Sequence, residues 1–493
     1  MDDLLPKLLA FPPHPPPSIP LTDTQYDEGI KSHISTVKGM ADSKLLLRTS
    51  SGDGVLDLIN PSINTVPYAF TLLAIITAVH KGNKNVDAKG NLWKNMSDFV
   101  SNLDPRQIRY LGAELGQITD TIVEYARSSN QIAAAVTPVT NSLLNYDPTG
   151  GMLTSRHLLL VKLSLNSRQF FDAVPVLDKP ILYFPTQKTP KSKLLCNMSS
   201  SPSTYITTDN GFTKKLKYQE VLEYFLCRGM IYAGLRDWKK AFQSLEDAVS
   251  FPTKEGAVSK MMIDAYKKWI LVGLLRDGKA PTLPKVTGNG AAKVYHVIAK
   301  PYESLAQIFE TGTASRLKAE ADVGTAIWQQ DCNLGLVLHV LAAYQKTQIR
   351  NLANIYTKMS IQEVHSATTS AETGFKLPSV HATETLVRSM IADGSLHATV
   401  SSGSSSPSIL TFLPPGTLLS EAVFQNQLAI STVQVKALTD EIKHTDHALT
   451  HEKDYVKWLQ KQKKGKVINI DQGISGPDMD WQNDDEDLMA TGY

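Results

Sequence analysis

Ile108, Leu111, Leu115, Ile118 and Ile122 recur every three or four positions, with polar residues between them. That period marks the buried face of an amphipathic helix. The segment opens Asp104-Pro105, an N-cap followed by a proline at the first helical position, where no backbone N–H is needed. Similar helix-length patterns alternate with turns such as KGNKN at 81–85, predicting an N-terminal helical region over 21–150. The Pro-rich residues 1–20 before it read as a disordered or polyproline-type lead-in. Residues 152–182 predict a second helical hairpin, its second helix kinked at Pro175. Residues 186–213 are rich in Ser, Thr, Pro, Lys and Asn and predict a long loop or boundary, completing a segment 151–217.

The pattern sharpens in YQEVLEYFLCRGMIYAGLRDWKKAFQSLEDAVSFPT, residues 218–253. Phe225, Gly229 and Tyr232 in a first helix, and Ala241, Leu245 and Ala248 in a second, stand close to tetratricopeptide spacing, with Pro252 closing the pair. Small residues at Gly229, Ala241 and Ala248 let the helices approach; Arg228 stands where a leucine is usual. Such a pair cannot bury its own apolar faces and needs neighbours. Val258, Met262, Ala265, Trp269 and Val272 supply the next stripe, with Gly278 as its stop. Further helices are predicted at 299–310, 313–329, 331–347 and 348–356. Gly288-Asn289-Gly290 reads as a turn, lacking the frame of a dinucleotide fingerprint.

Beyond 357 the pattern changes. Ser360 and Glu363 form a capping-box pair, and 380–393 predict an amphipathic helix ending at Gly394. LHATV (396–400) and SILTF (408–412) are short β-type runs joined by a Ser/Gly loop. Helix, helix, strand, loop, strand is the order of a winged helix, placed at 357–413. The strand 408–412 is expected at the end of its sheet, with free backbone groups for pairing to another chain. That makes Ser408, Ile409, Leu410 and Thr411 candidate interface residues, with adjacent Ile409 and Leu410 on opposite faces. A long helix is predicted over 417–462. Leu419, Val423, Ile430 and Val433 follow near-heptad spacing, and Leu438, Ile442 and Leu449 continue the stripe after a one-residue slip. These seven are expected to face partner helices. Lys457, Lys461, Lys463, Lys464 and Lys466 make its end basic, and the tail 463–493, acidic from 471, reads as disordered. The fold class is therefore mostly α: a right-handed, tetratricopeptide-like solenoid ending in a winged helix and followed by a long helix.

Composition narrows the function. The 493 residues are 42% hydrophobic and 20% charged, with net charge +2. That balance opposes a dedicated nucleic-acid or membrane-surface protein. Between Ser360 and Pro414 the only Lys and Arg are Lys376 and Arg388, against Glu363, Glu372, Glu384 and Asp393, too few cations to neutralise DNA phosphates. Cys196, Cys227 and Cys332 lie too far apart for a disulfide framework and fit a reducing compartment. The start carries acids where a signal peptide needs bases, and Val66–Val79 is too short to span a bilayer. Phosphate-loop, nucleophile-elbow and HExxH motifs are absent. His444, His447 and His451 share one helix without a further ligand and read as helix surface rather than a zinc site. Neither cofactor nor metal is expected.

Four stretches carry a resemblance: GMIYAGLRDWKKAFQSLEDAVSFPT (229–253), DAYKKWILVGLLRDGK (264–279), KPYESLAQIF (300–309), and SIQEV (360–364) with ETLVRSMIADGSLHATV (384–400). Helical repeats running into a winged helix and a long C-terminal helix resemble the PCI family, shared by the proteasome lid, the COP9 signalosome and a translation initiation factor complex. The wording of these stretches is most similar to its signalosome subunit 3 branch. The resemblance implies a non-catalytic scaffold in a hetero-oligomer that removes the ubiquitin-like modifier Nedd8 from cullin–RING ligases. It implies a zinc isopeptidase centre in another subunit, winged helices side by side in an arc, C-terminal helices in one bundle, and subunits 1 and 8 as neighbours. It further implies residence in cytoplasm and nucleus. A related assembly such as the proteasome lid is the alternative.

Overall fold

The computed structural model describes residues 4–15, 20–48, 53–83, 90–185, 189–190, 194–198, 200–252, 258–401, 408–414, 421–450, 455–457 and 459–460. The chain divides into two units, Met1–Leu396 with Val400–Leu410, and His397–Thr399 with Thr411–Tyr493. The tail 463–493 lies outside the described residues.

In the first unit helices pack on their neighbours in chain order, and a continuous hydrophobic core runs from Leu4 to Ala371. The Ser155–Ser167 helix packs on Val136–Tyr146 and on Tyr218–Gly234. The boundaries expected at 150 and 217 therefore fall inside one core. The tetratricopeptide-like pair forms Tyr218–Gly234 and Trp238–Val249. Next comes Lys260–Asp277, closed by Gly278 at φ 72°, a left-handed stop that favours glycine.

The proline-rich start departs from the disorder expected of it. Leu5–Leu8 forms a helical turn with Leu8 fully buried. Phe11 meets the Tyr26 ring edge-on at 5.0 Å. Phe11 packs against Tyr26, Gly29 and His33 of the Asp23–Lys38 helix, and Leu4 and Leu8 are buried with it, so burying them outweighs the entropy of a free end.

Asp104 caps a single turn, Pro105–Ile108, its carboxylate accepting from the Arg106 N–H at 3.0 Å. The chain then leaves helical geometry at Leu111 and restarts as Gly112–Ser128, so the predicted helix is broken in two. Ile108, Leu111, Leu115, Ile118 and Ile122 are all buried. The break sits beside Arg109, which is buried by the 194–213 segment. Its Nη1 donates to the Leu195 carbonyl at 3.3 Å and the Asn197 carbonyl at 2.5 Å, and its guanidinium lies 4.0 Å from the Tyr205 ring centroid. Described residues of that expected loop thus form a strap, with Cys196, Tyr205, Ile206 and Phe212 buried.

The hairpin predicted over 152–182 forms only its first helix. Its second is the turn Val174–Leu177, and Pro175 lies at its beginning, not at a kink. The Gly288–Gly290 turn instead opens a helix, Asn289–Ile298. Tyr295 anchors it, donating to the Val249 carbonyl at 3.0 Å and stacking on Tyr266 at 4.6 Å. The helix expected over 313–329 is divided at Gly324, while 331–347 and 348–356 are represented by one helix, Leu334–Leu352.

Candidate assembly surface

The last part of the first unit begins at strand β1, Lys358–Ser360. Ser360 then caps the Ile361–Ala367 helix. Its N–H and Oγ donate to Glu363 Oε2 at 2.8 Å each, and the Glu363 N–H donates to Ser360 Oγ at 3.2 Å. These bonds, the backbone one first, hold the Glu363 carboxyl below its usual range. His365 Nδ1 lies 2.8 Å from Thr383 Oγ1, joining this helix to Val380–Ala392. Ile361, Val364, Val387, Met390 and Leu396 are buried beneath.

Strands β2, Ala398–Ser401, and β3, Ile409–Phe412, complete a sheet in the order β1-β3-β2. This corrects the expectation that 408–412 is an edge strand. The Ile361 N–H donates to the Ser408 carbonyl at 2.9 Å, and Leu413 N–H donates to the His397 carbonyl at 2.8 Å. With β1 and β2 on either side, β3 is central. Among the described residues the outer strands are β1 and β2. The reason is β1, a strand whose sequence Lys-Met-Ser shows no β pattern.

Within β3 the side chains alternate. Leu410 is fully buried, whereas Ile409 is 40% exposed. Ser408 is half-buried, its Oγ 3.4 Å from Glu384 Oε1, and Thr411 is half-buried in the second unit. Glu384 also receives Arg388 at 2.6 Å.

The second unit holds a helix, Glu421–Thr450. Leu419 and the side chains of Val423 and Leu449 lie outside the described residues. Ile430, Val433, Leu438 and Ile442 are each more than half exposed, as are Phe424, Leu428 and Val435. At about 100° per residue, Phe424, Leu428, Val435, Leu438 and Ile442 form one stripe. Ile430 and Val433 lie about 150° away on a second. The predicted single stripe is therefore two. Phe424, Leu428 and Val435 escaped the sequence reading, although successive steps of four, seven, three and four residues from Phe424 to Ile442 carry the signal.

Among the described residues no group of three His, Cys, Asp or Glu is placed to hold a metal ion. The His444 side chain and His451 lie outside them. No described helix is long and apolar enough to cross a membrane.

A family model described as "COP9 signalosome complex subunit 3, N-terminal helical repeats" matches residues 33–290. The chain is 36% identical over 460 residues to COP9 signalosome complex subunit 3 of Neurospora crassa, covering 92% of this chain and 91% of that protein. It is 31% identical over 510 aligned positions to the Emericella nidulans protein of the same name, covering both chains fully. The family match runs through the 194–213 strap and past residue 218, across the same boundaries that the continuous core crosses.

Proposed function

The chain belongs to the COP9 signalosome subunit 3 family, and from that premise we propose that it is a non-catalytic scaffold subunit of that assembly. The observation that carries the reading is likeness along the whole chain to relatives named for this subunit. We read β1 through β3 with their two helices as a winged helix, and 218–413 as a PCI module. In this reading the chain supports removal of Nedd8 from cullin–RING ligases without performing it. Its winged helix docks beside those of neighbouring subunits, expected to be subunits 1 and 8, in the cytoplasm and nucleus.

The two apolar stripes support a bundle role for the C-terminal helix. A helix apolar on one face needs one neighbour, whereas a helix apolar on two needs at least two. Exposed apolar patches of this extent favour association.

Affinity purification of the tagged full chain tests the proposal. The expected companions are the other signalosome subunits, together with activity that cleaves Nedd8 from a cullin. Recovery of proteasome-lid subunits and protease activity instead would overturn it.

A further inference from the structure

Two cavities on the helical repeats meet at Arg236 and His339. The first is a cleft of about 620 Å³, within the size range of ligand sites. Arg236, Lys239, Arg276, Lys346 and Arg350 line it, together with Asp393 and Ser395. Asp237 is also in its wall, but its carboxylate caps the Trp238–Val249 helix, accepting from the Lys240 N–H at 3.1 Å. Arg276 is tied to Asp277 at 2.5 Å, and Arg350 Nη2 donates to Thr347 Oγ1 at 3.1 Å. Arg236, Lys239 and Lys346 have no ion-pair partner among the described residues. Burial, then the charge of Arg236, holds His339 below the usual histidine range, so the cleft's positive charge comes from its arginines and lysines.

The floor of this cleft is not polar. Trp238, Leu275, Ala342 and Ala343 form part of its wall. Past His339 the second cavity, about 380 Å³, continues between Met230, Ala233, Val272 and Leu336, with Cys332 and Lys268, the latter paired to Asp264 at 2.5 Å, also in its wall. Gly335 opens into free space, because a Cβ there would meet nothing within 4 Å. The result is one groove, cationic at one end and mainly apolar at the other.

We propose that this groove binds an extended peptide segment of another protein, acidic residues in the cleft and an aliphatic residue in the continuation. Charge complementarity selects the acidic end: uncompensated guanidinium and ammonium groups face a concave space where carboxylates can be held. The continuation selects a peptide over a bare polyanion, because a phosphate cluster would leave Met230, Val272 and Leu336 uncovered and would find Lys268 already paired to Asp264. The inference rests on cations of the helical repeats and not on the assembly reading, although Asp393 and Ser395 of the segment read as a winged helix also line the cleft.

The test uses the purified full-length chain and a fluorescently labelled peptide with a run of glutamates followed by two leucines. Saturable binding is expected, weakening as salt rises. Lys239→Glu with Lys346→Glu should weaken it by ~10-fold or more, about 1.4 kcal/mol per tenfold. Gly335→Leu should also weaken it by ~10-fold, by filling the apolar end. These changes touch no existing partner, and leucine in place of glycine favours the helix, so the melting temperatures should match or exceed the wild type. An all-glutamine version of the peptide should bind correspondingly less. Inorganic tripolyphosphate serves as the bare-anion probe. The proposal is overturned if the peptide does not saturate the chain, or if Gly335→Leu leaves its affinity unchanged. It is equally overturned if tripolyphosphate competes as well as the leucine-bearing peptide.

Discussion

A Cβ added to Gly229 would lie 2.7 Å from Leu245 Cγ and 2.8 Å from its Cδ2. The two repeat helices meet there without room for a methyl group. Alanine is intrinsically the better helix former by about 1 kcal/mol, but overpacking a close helix contact costs about 1–3 kcal/mol. Gly229→Ala should therefore lower stability by up to about 2 kcal/mol net, read by thermal or urea denaturation. Adding Leu245→Ala opens a cavity of its own, yet the two changes together should cost less than their sum. Additive losses would show that the contact is not limiting.

Arg109 pins the strap to the N-terminal helices through two carbonyls and the Tyr205 ring. Arg109→Ala removes a donor from the Leu195 carbonyl and from the Asn197 carbonyl, which also accepts from the Ser200 N–H at 3.2 Å. The expected loss is about 3 kcal/mol, since hydrogen bonds from charged groups contribute about 1.5–3 each. Limited proteolysis should then cut within 194–213 before any helix. Cleavage elsewhere first would contradict the pinning role.

His157 is buried, and that burial, followed by the charge of Arg228, pushes its pKa down to about 3. Its Nδ1 accepts from the Thr154 N–H at 3.2 Å, which leaves the ring proton on Nε2. Above about pH 6.5 the ring is neutral in both folded and unfolded chains, and titration contributes nothing. As pH falls from there toward 3, the unfolded chain takes up a proton that the folded chain refuses, so stability is lost. Asp247 acts oppositely: burial raises its carboxyl to about 6, so it destabilises the fold as pH rises from about 4 toward 6. The two partly cancel in the wild type. His157→Gln keeps a side chain able to complete the cap at Thr154 and removes the titration. Stability of the wild type relative to this variant should fall by about 1.4 kcal/mol per pH unit between roughly 6 and 4. A flat difference in paired urea titrations would refute the assignment.

The two stripes of the Glu421–Thr450 helix are separable. Leu428→Glu with Leu438→Glu spoils one face, and Ile430→Glu with Val433→Glu spoils the other. All four side chains are exposed, so each double variant should keep the wild-type melting temperature. Each should lose most of its incorporation when the tagged chain is recovered from cells. If only one face matters, the helix has a single neighbour and the two-sided bundle is wrong.

Ser360 gives a local check. Ser360→Ala removes the Oγ that accepts from Glu363 N–H and should cost about 1 kcal/mol. Hydrogen exchange at the first turn of Ile361–Ala367 should rise with it.

What was readable in the sequence shares one property: its cause lies within a few residues along the chain. Asp104 and Ser360 cap helices through bonds two and three residues away, and Gly278 stops a helix through its own backbone angle. The apolar periods of 108–122 and 262–272 mark residues that are buried, because burial on a helix follows its turn. The small residues of the 218–253 pair marked a close approach before its partner atoms were known. The same local logic exposed the apolar spacing of the C-terminal helix, although one stripe was drawn where the geometry has two.

Tertiary structure alone decided the rest, because there the deciding contact is distant in sequence. The Ser408 carbonyl accepts from Ile361 N–H, a pairing that makes β3 central and that no β pattern at Lys358–Ser360 announces. The 194–213 segment reads as loop by composition, yet Arg109 binds its carbonyls across more than eighty residues. Tyr295 holds a helix on Val249 that begins in an apparent turn. The groove at Arg236 and His339 is likewise assembled from separate helices. Backbone hydrogen bonds and local periodicity select the elements. Which distant groups satisfy one another, and which charges are left facing a cavity, depends on how those elements stack.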